Sequence, residues 1–419
     1  MGVTYVTNDA KSCTSREPVE DRHVDKACPL QVTRMLSAFA IDQISTGSLF
    51  AKGALPWRTD GVAALVDHAN PWCNEHDRAS RDTLLNRVAE FLGQPMLGAM
   101  DGHEASSKTA LLIPGDALEQ DSADAAGIFD RSDVLGGVVP ALFVGTKAIT
   151  HGLVDENASR PDAWSTDMAK WMGNAALTGF TAFNHADAAR AGRILLANGP
   201  VRIKDVCAKA GLGQTVVHSV AELDTVLALE DAADLTSCGI VLEENLTDVV
   251  TYSVGLVELG GETISYWGSQ NLTTDHKGRE VYGGSDLCVV RGGFDALSAL
   301  DVPEHLARAI RCAAIFDEAA HAAYPDIILT RRNYDVIEGT DASGVRRIGV
   351  LEQSWRVGGA SGAEIAAFEA FRAEPNTDSV RCSTVEVYDL VTPPAGATLY
   401  YRGTDPVVGA MTKYAMRYA

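Results

Sequence analysis

The fold of this chain is limited first by a glycine-rich loop that lies between two strand-like runs. The loop, residues 209–214 (KAGLGQ), separates the runs at 201–204 and 215–218. Dinucleotide-binding and P-loop domains place their glycines between a strand and a helix, in the patterns G-x-G-x-x-G and G-x-x-x-x-G-K-[ST]. Here Val216 stands where the first pattern needs its third glycine, and the second pattern does not occur in the sequence. The loop therefore predicts an antiparallel hairpin and excludes both of those phosphate-binding motifs.

Such a hairpin can still bind phosphate. Backbone N–H groups of a glycine-rich loop can fold over a polyphosphate while Lys204, on the first strand, supplies a positive charge. Alternatively, Lys204 is a solvated strand residue and the glycines form an ordinary tight turn. The local sequence leaves both interpretations open.

The wider pattern indicates several packed domains, because 419 residues exceed one ordinary core. A buried-strand pattern at 61–67 followed by helical spacing at 77–92 opens an α/β unit, and further strand-like runs lie at 110–114 and 136–144. Antiparallel hairpins dominate the rest of the chain. Residues 1–58 carry mixed charges without clear caps, and we predict a weakly ordered extension there.

Several local predictions bear on the site. Residues 178–183 are typical of a turn, and 185–197 of a helix with Asn184 as its N-cap. A strand is predicted at 263–269 and a polar, glycine-rich loop at 278–287 (GREVYGGSDL).

Two carboxylates fall on strands that a short hairpin joins. Asp335 lies on the first strand and Glu352 on the second, with the turn residues 339–344 between them and Arg356 just beyond. Paired carboxylate oxygens suit a Mg²⁺ ion that bridges nucleotide phosphates. Alternatively, the two acids only pair with Arg332 and Arg347 on a solvated face of the sheet.

Charge and composition limit the classes of partner and the location that we expect for this protein. The formal net charge of −21 repels polyanions, and no basic patch offsets it, so we expect no nucleic-acid partner. The N-terminus lacks an apolar signal region and no run of about 18 apolar residues follows, so we expect a cytoplasmic protein without a membrane segment. The eight cysteines form no C-x-x-C, which favours reduced thiols.

In this order, the motifs resemble those of the ATP-grasp superfamily over about residues 60–372. The matching pieces are GTKAITH with Lys147, TGFTAF before a helix, GPVRIK with Lys204, KAGLGQ, GIVLEENL with Glu243 and Glu244, YDVIEG with Asp335, and VLEQSWRVGG with Glu352, Ser354 and Arg356. More narrowly, the segments GGVVPALFVGTKAITH, TYSVG, REVYGGSDL and RRNYD look like a bacterial family of uncharacterised ATP-grasp-like proteins.

The resemblance implies an α/β (α+β) ATP-grasp fold with an N-terminal α/β pre-ATP-grasp domain over 59–145. Residues 146–235 would form the small subdomain with the glycine-rich lid. Residues 236–419 would form the C-terminal subdomain with the metal site.

It also implies roles for single residues. Lys147 and Lys204 would contact ATP phosphates, and the lid would include Gly211, Gly213 and Gln214. Adenine would be held by Glu243 and by the backbone of Glu244, Asn245 and Leu246, with Asp248 as the candidate for the ribose.

The remaining implied residues concern metal and substrate. The Mg²⁺ ligands would be Asp335, Glu352 and Ser354, where Ser354 replaces the asparagine of the superfamily pattern E-x-N-x-[PR] and offers a weaker oxygen ligand. Arg356 would clamp a substrate anion, Arg332 would screen the γ-phosphate, and Arg279 would fold over the substrate.

These roles together imply an ATP- and Mg²⁺-dependent ligase that activates the carboxylate of a small molecule for attack by an amine or similar nucleophile. The alternatives are a small-molecule kinase on the same site and a non-catalytic nucleotide-binding regulatory protein. A homodimer is a further expectation.

Overall fold

The computed structural model describes residues 60–66, 74–207 and 213–418, all within one compact unit that covers Ala54–Ala419. The predicted extension over 1–58 and Gly211 of the predicted lid lie outside the described residues. The divisions predicted at 145/146 and 235/236 stay predictions. Among the described helices, none combines the length and the apolar character that a membrane span requires.

The first described elements form a parallel sheet with a crossover helix. Strands β1 (Gly61–Leu65), β2 (Met96–Met100) and β3 (Ala110–Pro114) pair in the order β2-β1-β3, and α1 (Glu75–Leu92) connects the first two. The runs GVAAL and ALLIP are buried throughout, as parallel strands with covered faces require. This confirms the predicted opening of the chain by an α/β unit.

Short elements lead on from this sheet. They are α2 (Gly102–Ala105), β4 (Leu118–Glu119), α3 (Gln120–Ala125), β5 (Gly137–Val139), the 3₁₀ turns Leu142–Gly145 and Lys147–Thr150, α4 (Met168–Met172) and the 3₁₀ turn Gly173–Ala175. The strand predicted over 136–144 is wrong beyond Val139. Pro140 has no N–H to donate to a strand partner, and the chain turns into 3₁₀ geometry.

A four-stranded antiparallel sheet follows among the described residues. Its elements are β6 (Gly179–Ala182), α5 (His185–Leu196), β7 (Val201–Asp205), β8 (Gln214–Val217), α6 (Val220–Leu227), α7 (Ala232–Ser237) and β9 (Ile240–Glu244), with the strand order β6-β9-β7-β8. The predicted hairpin is confirmed, with Lys204 opposite Gln214. The Asn184 side chain accepts a hydrogen bond from the Asp187 N–H and caps α5 as predicted. The turn predicted at 178–183 is wrong, because these residues pair with the distant strand β9.

A sheet of eight described strands carries the rest of the chain. Its elements, with their helices, are β10 (Thr247–Leu259), β11 (Glu262–Thr274), β12 (Glu280–Arg291), α8 (Phe294–Ser298), α9 (Glu304–Ala323), β14 (Arg331–Thr340), β15 (Arg346–Ser354), α10 (Ser361–Ala373), β16 (Ser379–Val387), β17 (Thr398–Asp405) and β18 (Gly409–Arg417), and a short strand, β13 (Ile328–Leu329), pairs with β5 instead. The strand order is β15-β14-β10-β11-β12-β16-β18-β17. The loop predicted at 278–287 is wrong, because most of it forms β12 between β11 and β16.

The two faces of this large sheet bury different cores. On one face, Tyr334 and Val336 pack with Phe316 of α9. On the other face, Tyr266 packs with Phe368 of α10 and with residues of α1. Because side chains alternate along a strand, residues 331, 333 and 335 of β14 point away from α9.

Candidate functional site

A cavity of about 230 Å³ lies between the four-stranded sheet and the β10–β14–β15 end of the large sheet. Charged side chains from both sheets line it: Arg202, Lys204, Glu243, Glu244, Asp335 and Glu352. Apolar side chains form another part of the wall, among them Leu177, Leu246, Ile337 and Leu351. Such a mixture of an apolar surface and a few converging charges is typical of a ligand site.

Two buried lysines are held at this cavity by carboxylates. Lys204 Nζ lies 2.6 Å from Glu243 Oε1, and both side chains are almost fully buried. Lys147 Nζ lies 2.8 Å from Glu352 Oε2, although Lys147 itself is not among the described residues that line the cavity. Buried ammonium groups need such partners, because an uncompensated buried charge costs several kcal/mol.

Glu243 has a second partner on the far side of its carboxylate. His151 Nε2 lies 3.1 Å from Glu243 Oε2, and both side chains are buried. Burial alone would raise the pKa of Glu243, but the charge of Lys204 and the hydrogen bond with His151 outweigh it and lower that pKa. The carboxylate therefore stays ionised at neutral pH.

Asp335 and Glu352 lie directly opposite each other in the β14–β15 pair. The register shifts between Asp335 and Val336, so that Leu351 is the extra residue of a bulge in β15. Consecutive strand residues normally face opposite sides, but this bulge lets both Leu351 and Glu352 line the cavity. Burial, and then the charge of Glu352, raise the pKa of Asp335 to about 6.

Two carboxylates whose charges repel are a set of donors that fits Mg²⁺. Within the described ranges, no three His, Cys, Asp or Glu side chains are grouped to hold a metal ion. Mg²⁺ is commonly bound through one or two carboxylates, with waters and phosphate oxygens as the other ligands. Ser354 lies opposite Asn333, and its hydroxyl is 3.5 Å from the Arg331 guanidinium. It is not among the described residues that line the cavity.

The segment that follows β9 meets the cavity only in part. Leu246 lines it, and so does Glu244, which accepts a hydrogen bond from the Thr178 N–H and pairs with Arg347. The side chain of Asn245 accepts from Arg202. Asp248 has a positive φ of 49°, and its carbonyl accepts from Arg346. Neither Asn245 nor Asp248 is among the described lining residues.

The hairpin that carries the predicted lid contributes its second strand. Gln214 lines the cavity and its side chain accepts from Arg202. Gly213 precedes it with φ of 66°, a left-handed conformation that favours glycine. Gly211 lies outside the described residues.

The three predicted arginines are not brought to the cavity. Arg332 lies on the opposite face of β14 from Asp335, buried between Glu258 and Asp317. Arg279 lies in the turn between β11 and β12, where its half-exposed guanidinium donates to Asp275. Arg356 follows β15, with its Nε 3.5 Å from Asp116.

Sequence reasoning missed the cavity residues Gln270 and Arg202. Gln270 Nε2 donates to Asp335 Oδ1 at 2.8 Å. The predicted strand stopped at residue 269, whereas β11 continues to Thr274. Following the alternation from Tyr266 through Gly268 would have placed Gln270 on the same face as Tyr266.

A solved structure similar to this chain identifies the class of fold, and two others are also similar to it. Biotin carboxylase from Campylobacter jejuni, solved as a β,γ-ATP complex, superposes with a TM-score of 0.51 at 12% identity, over 86% of this chain and 88% of that one. N5-carboxyaminoimidazole synthetase from Staphylococcus aureus, complexed with ADP, gives 0.49 at 10% identity over 86% and 94%. Phosphoribosylamine–glycine ligase from Thermotoga maritima gives 0.46 at 13% identity over 85% and 90%. The chain therefore has the ATP-grasp fold.

A family model identifies the chain more narrowly. Residues 65–415 match the family described as "Protein of unknown function (DUF3182)", and the chain belongs to this family. No curated protein matches the chain significantly.

Proposed function

We propose that this protein is an ATP- and Mg²⁺-dependent ligase that activates a substrate carboxylate as an acyl phosphate for attack by an amine or similar nucleophile. One observation carries the proposal: a buried lysine and two carboxylates line one cavity, and a second buried lysine pairs with one of these carboxylates. Lys204, Asp335 and Glu352 line the cavity, and Lys147 pairs with Glu352. The ATP-grasp fold is compatible with this chemistry but does not by itself establish it.

In this proposal the nucleotide fills the cavity. The apolar side chains Leu246, Ile337 and Leu351 offer a surface for the base. The ammonium groups of Lys147 and Lys204 hold the phosphates, assisted by the β7–β8 hairpin. Residues 146–235 then supply strands β6, β7 and β8 of the small subdomain. Residues 236–419 supply its remaining strand, β9, and the C-terminal subdomain, and the nucleotide lies between the two sheets.

Asp335 and Glu352 would hold the cation. When bound, Mg²⁺ would neutralise charge on the phosphate oxygens, which would also complete its coordination. Ser354 stays a candidate for a weaker ligand. Because its side chain lies beside the Arg331 guanidinium, we expect Asp335 and Glu352 to provide most of the affinity.

The chemistry is a transfer in two steps. An oxygen of the substrate carboxylate forms a bond to the γ-phosphorus while the bond from that phosphorus to the β,γ-bridging oxygen breaks, which releases ADP. The nucleophile then attacks the acyl carbon, the bond from that carbon to the phosphate oxygen breaks, and phosphate leaves as the nucleophile gives up its proton. Lys147 and Lys204 contribute by positioning and charge stabilisation, which dominate phosphoryl transfer. Arg332, Arg279 and Arg356 all lie away from the cavity, so none of them is assigned to the nucleotide, and the role of Arg356 towards a substrate anion stays a prediction.

Calorimetric titration of ATP, with and without Mg²⁺, tests the proposal. Wild type should bind ATP in a Mg²⁺-dependent way, and Glu352→Gln should weaken this binding at least tenfold because the cation loses a ligand. The matched control is Glu262→Gln, which removes a partly exposed carboxylate of the same sheet that pairs with Arg372 away from the cavity. Absence of binding at millimolar ATP would refute the proposal.

Product analysis then decides the reaction. Phosphate release that requires both a carboxylate and an amine establishes a ligase, whereas a stable phosphorylated product would establish a kinase. Ser354 stands where the superfamily pattern has asparagine, a stronger oxygen ligand. This difference favours one further candidate function, a nucleotide-binding protein without turnover. Tight ATP binding with no phosphate release across a substrate panel would establish that candidate.

A further inference from the structure

One oxygen of Asp335 is saturated by side chains of the protein. The amides of Gln270 and Asn333 both donate to Asp335 Oδ1, each at 2.8 Å. A carboxylate oxygen has two lone pairs, so these two donors fill it. The Ser253 hydroxyl is 3.5 Å away and adds little. In the described part of the chain, no hydrogen bond reaches Oδ2.

The Asn333 amide lies between Asp335 and the Tyr266 hydroxyl. Because the Asp335 carboxylate can only accept, the amide turns its Nδ2 towards Asp335 and its Oδ1 towards the Tyr266 hydroxyl, 2.9 Å away. That hydroxyl has one proton and two acceptors, Asn333 Oδ1 and, at 2.7 Å, Glu364 Oε1, which share it. Tyr266 itself is fully buried.

Glu364 is itself held in place. Glu364 is buried and pairs with the Arg331 guanidinium at 2.7 Å. Arg331 also donates to the backbone carbonyls of Ser354 and Arg356. The Tyr266 hydroxyl therefore lies between a fixed ion pair and the amide that contacts Asp335.

From this geometry we infer that Gln270, Asn333 and Tyr266 are positioning residues for the cation site: they saturate Oδ1 of Asp335 and leave Oδ2 available to a divalent metal ion. The inference rests on the proposed function, because Asp335 is a metal ligand only in that proposal. It goes further because it assigns a role to Asn333 and Tyr266. Neither residue would touch metal or nucleotide, and both would act through Asp335. Such outer contacts commonly change metal affinity 10- to 100-fold.

The test is Mn²⁺ binding to the full chain, read from the electron paramagnetic resonance signal of free Mn²⁺, with and without ADP. The variants are Tyr266→Phe, which deletes one hydroxyl, and Gln270→Leu, which removes one donor to Asp335. The control is Ser265→Ala, since Ser265 is a buried residue of the same strand whose hydroxyl donates to the Gly293 carbonyl. Melting temperatures are recorded for each protein.

We expect both test variants to weaken Mn²⁺ binding about tenfold or more. Ser265→Ala should lose stability but stay within about twofold of wild-type affinity. If Tyr266→Phe does not fold, Gln270→Leu carries the test, because Gln270 is only half-buried. Unchanged Mn²⁺ affinity in the folded test variants overturns the inference and leaves the metal site standing. If wild type takes up no Mn²⁺ in either condition, the metal-site proposal fails and the inference fails with it.

Discussion

Replacing Lys204 with methionine should destabilise the protein before any nucleotide is added. Met keeps the apolar length of the side chain but removes the ammonium group 2.6 Å from Glu243. Glu243 is 1% exposed, so its carboxylate cannot recover water as a partner. Removing one member of a buried pair typically costs about 3–5 kcal/mol. Because His151 stays within 3.1 Å of Glu243, we expect the lower end, about 3 kcal/mol.

The loss should depend on pH. In wild type the pKa of Glu243 is lowered, so the pair stabilises the fold above the ordinary pKa of the carboxyl and loses this effect as the pH falls through the folded value. In Lys204→Met, the largest cause of that lowering is gone and burial raises the pKa of Glu243. The carboxyl then takes up a proton more readily, and the penalty shrinks as the pH falls below this raised value.

Urea unfolding at pH 7.5 and pH 5, with unchanged slopes, measures these effects. The control is the double variant Lys204→Met/Glu243→Gln, which removes both charges and should recover most of the lost stability. Loss of ATP binding in a single Lys204 variant is interpretable only beside this control, because the single variant also leaves a buried carboxylate uncompensated. A loss below about 1 kcal/mol at pH 7.5, or a double variant as unstable as the single one, would refute the reasoning.

Two further predictions concern residues away from the cavity. Arg332→Gln should cost about 3 kcal/mol in urea unfolding, because Glu258 and Asp317 lose this buried partner while Glu258 keeps Arg131 and Asp317 keeps the Tyr334 hydroxyl. The ATP affinity of the folded variant should stay within about twofold of wild type, and a selective loss of ATP affinity would return Arg332 to the site. Asp405→Asn should cost about 1–3 kcal/mol near neutral pH, because the buried carboxylate accepts backbone hydrogen bonds from His76, Val407 and Val408. Burial alone would raise the pKa of Asp405, but these bonds outweigh it and lower that pKa to about 2. The difference in unfolding free energy between variant and wild type should therefore vanish as the pH falls from about 4 to 2. A difference that persists at pH 2 would contradict this assignment.

Elements with local signals could be predicted from the sequence. Asn184 and the glycine-proline pair after α5 bound that helix, and the turn residues between β14 and β15 bring Asp335 opposite Glu352. Strand β6 is missed because its partner β9 lies far away in the chain, and no local pattern reports such pairing. Strand β12 is missed although its partner β11 directly precedes it, because the polar, glycine-rich residues at its start are typical of a loop.

For the site too, the sequence predicts what depends on local alternation and not what depends on distant contacts. Alternation already separates Arg332 from Asp335, since an odd spacing of three places them on opposite faces of a strand. The contact of Lys147 with Glu352 joins a 3₁₀ turn to a distant strand, and only the tertiary fold shows it. The amide contacts on Asp335 were hidden for the same reason, because Gln270 comes from a neighbouring hairpin.

The bulge at Leu351 decides which residue of β15 stands opposite Asp335. With regular pairing from the hairpin turn, Leu351 would lie opposite Asp335 and Glu352 opposite Tyr334, on the face that packs against α9. The extra residue brings Glu352 opposite Asp335 instead, so deleting Leu351 would remove the bulge and keep the carboxylate pair. During evolution, therefore, a homologue with a one-residue gap at this point can retain both carboxylates, whereas one that keeps the length and loses the bulge would present an apolar side chain to Asp335.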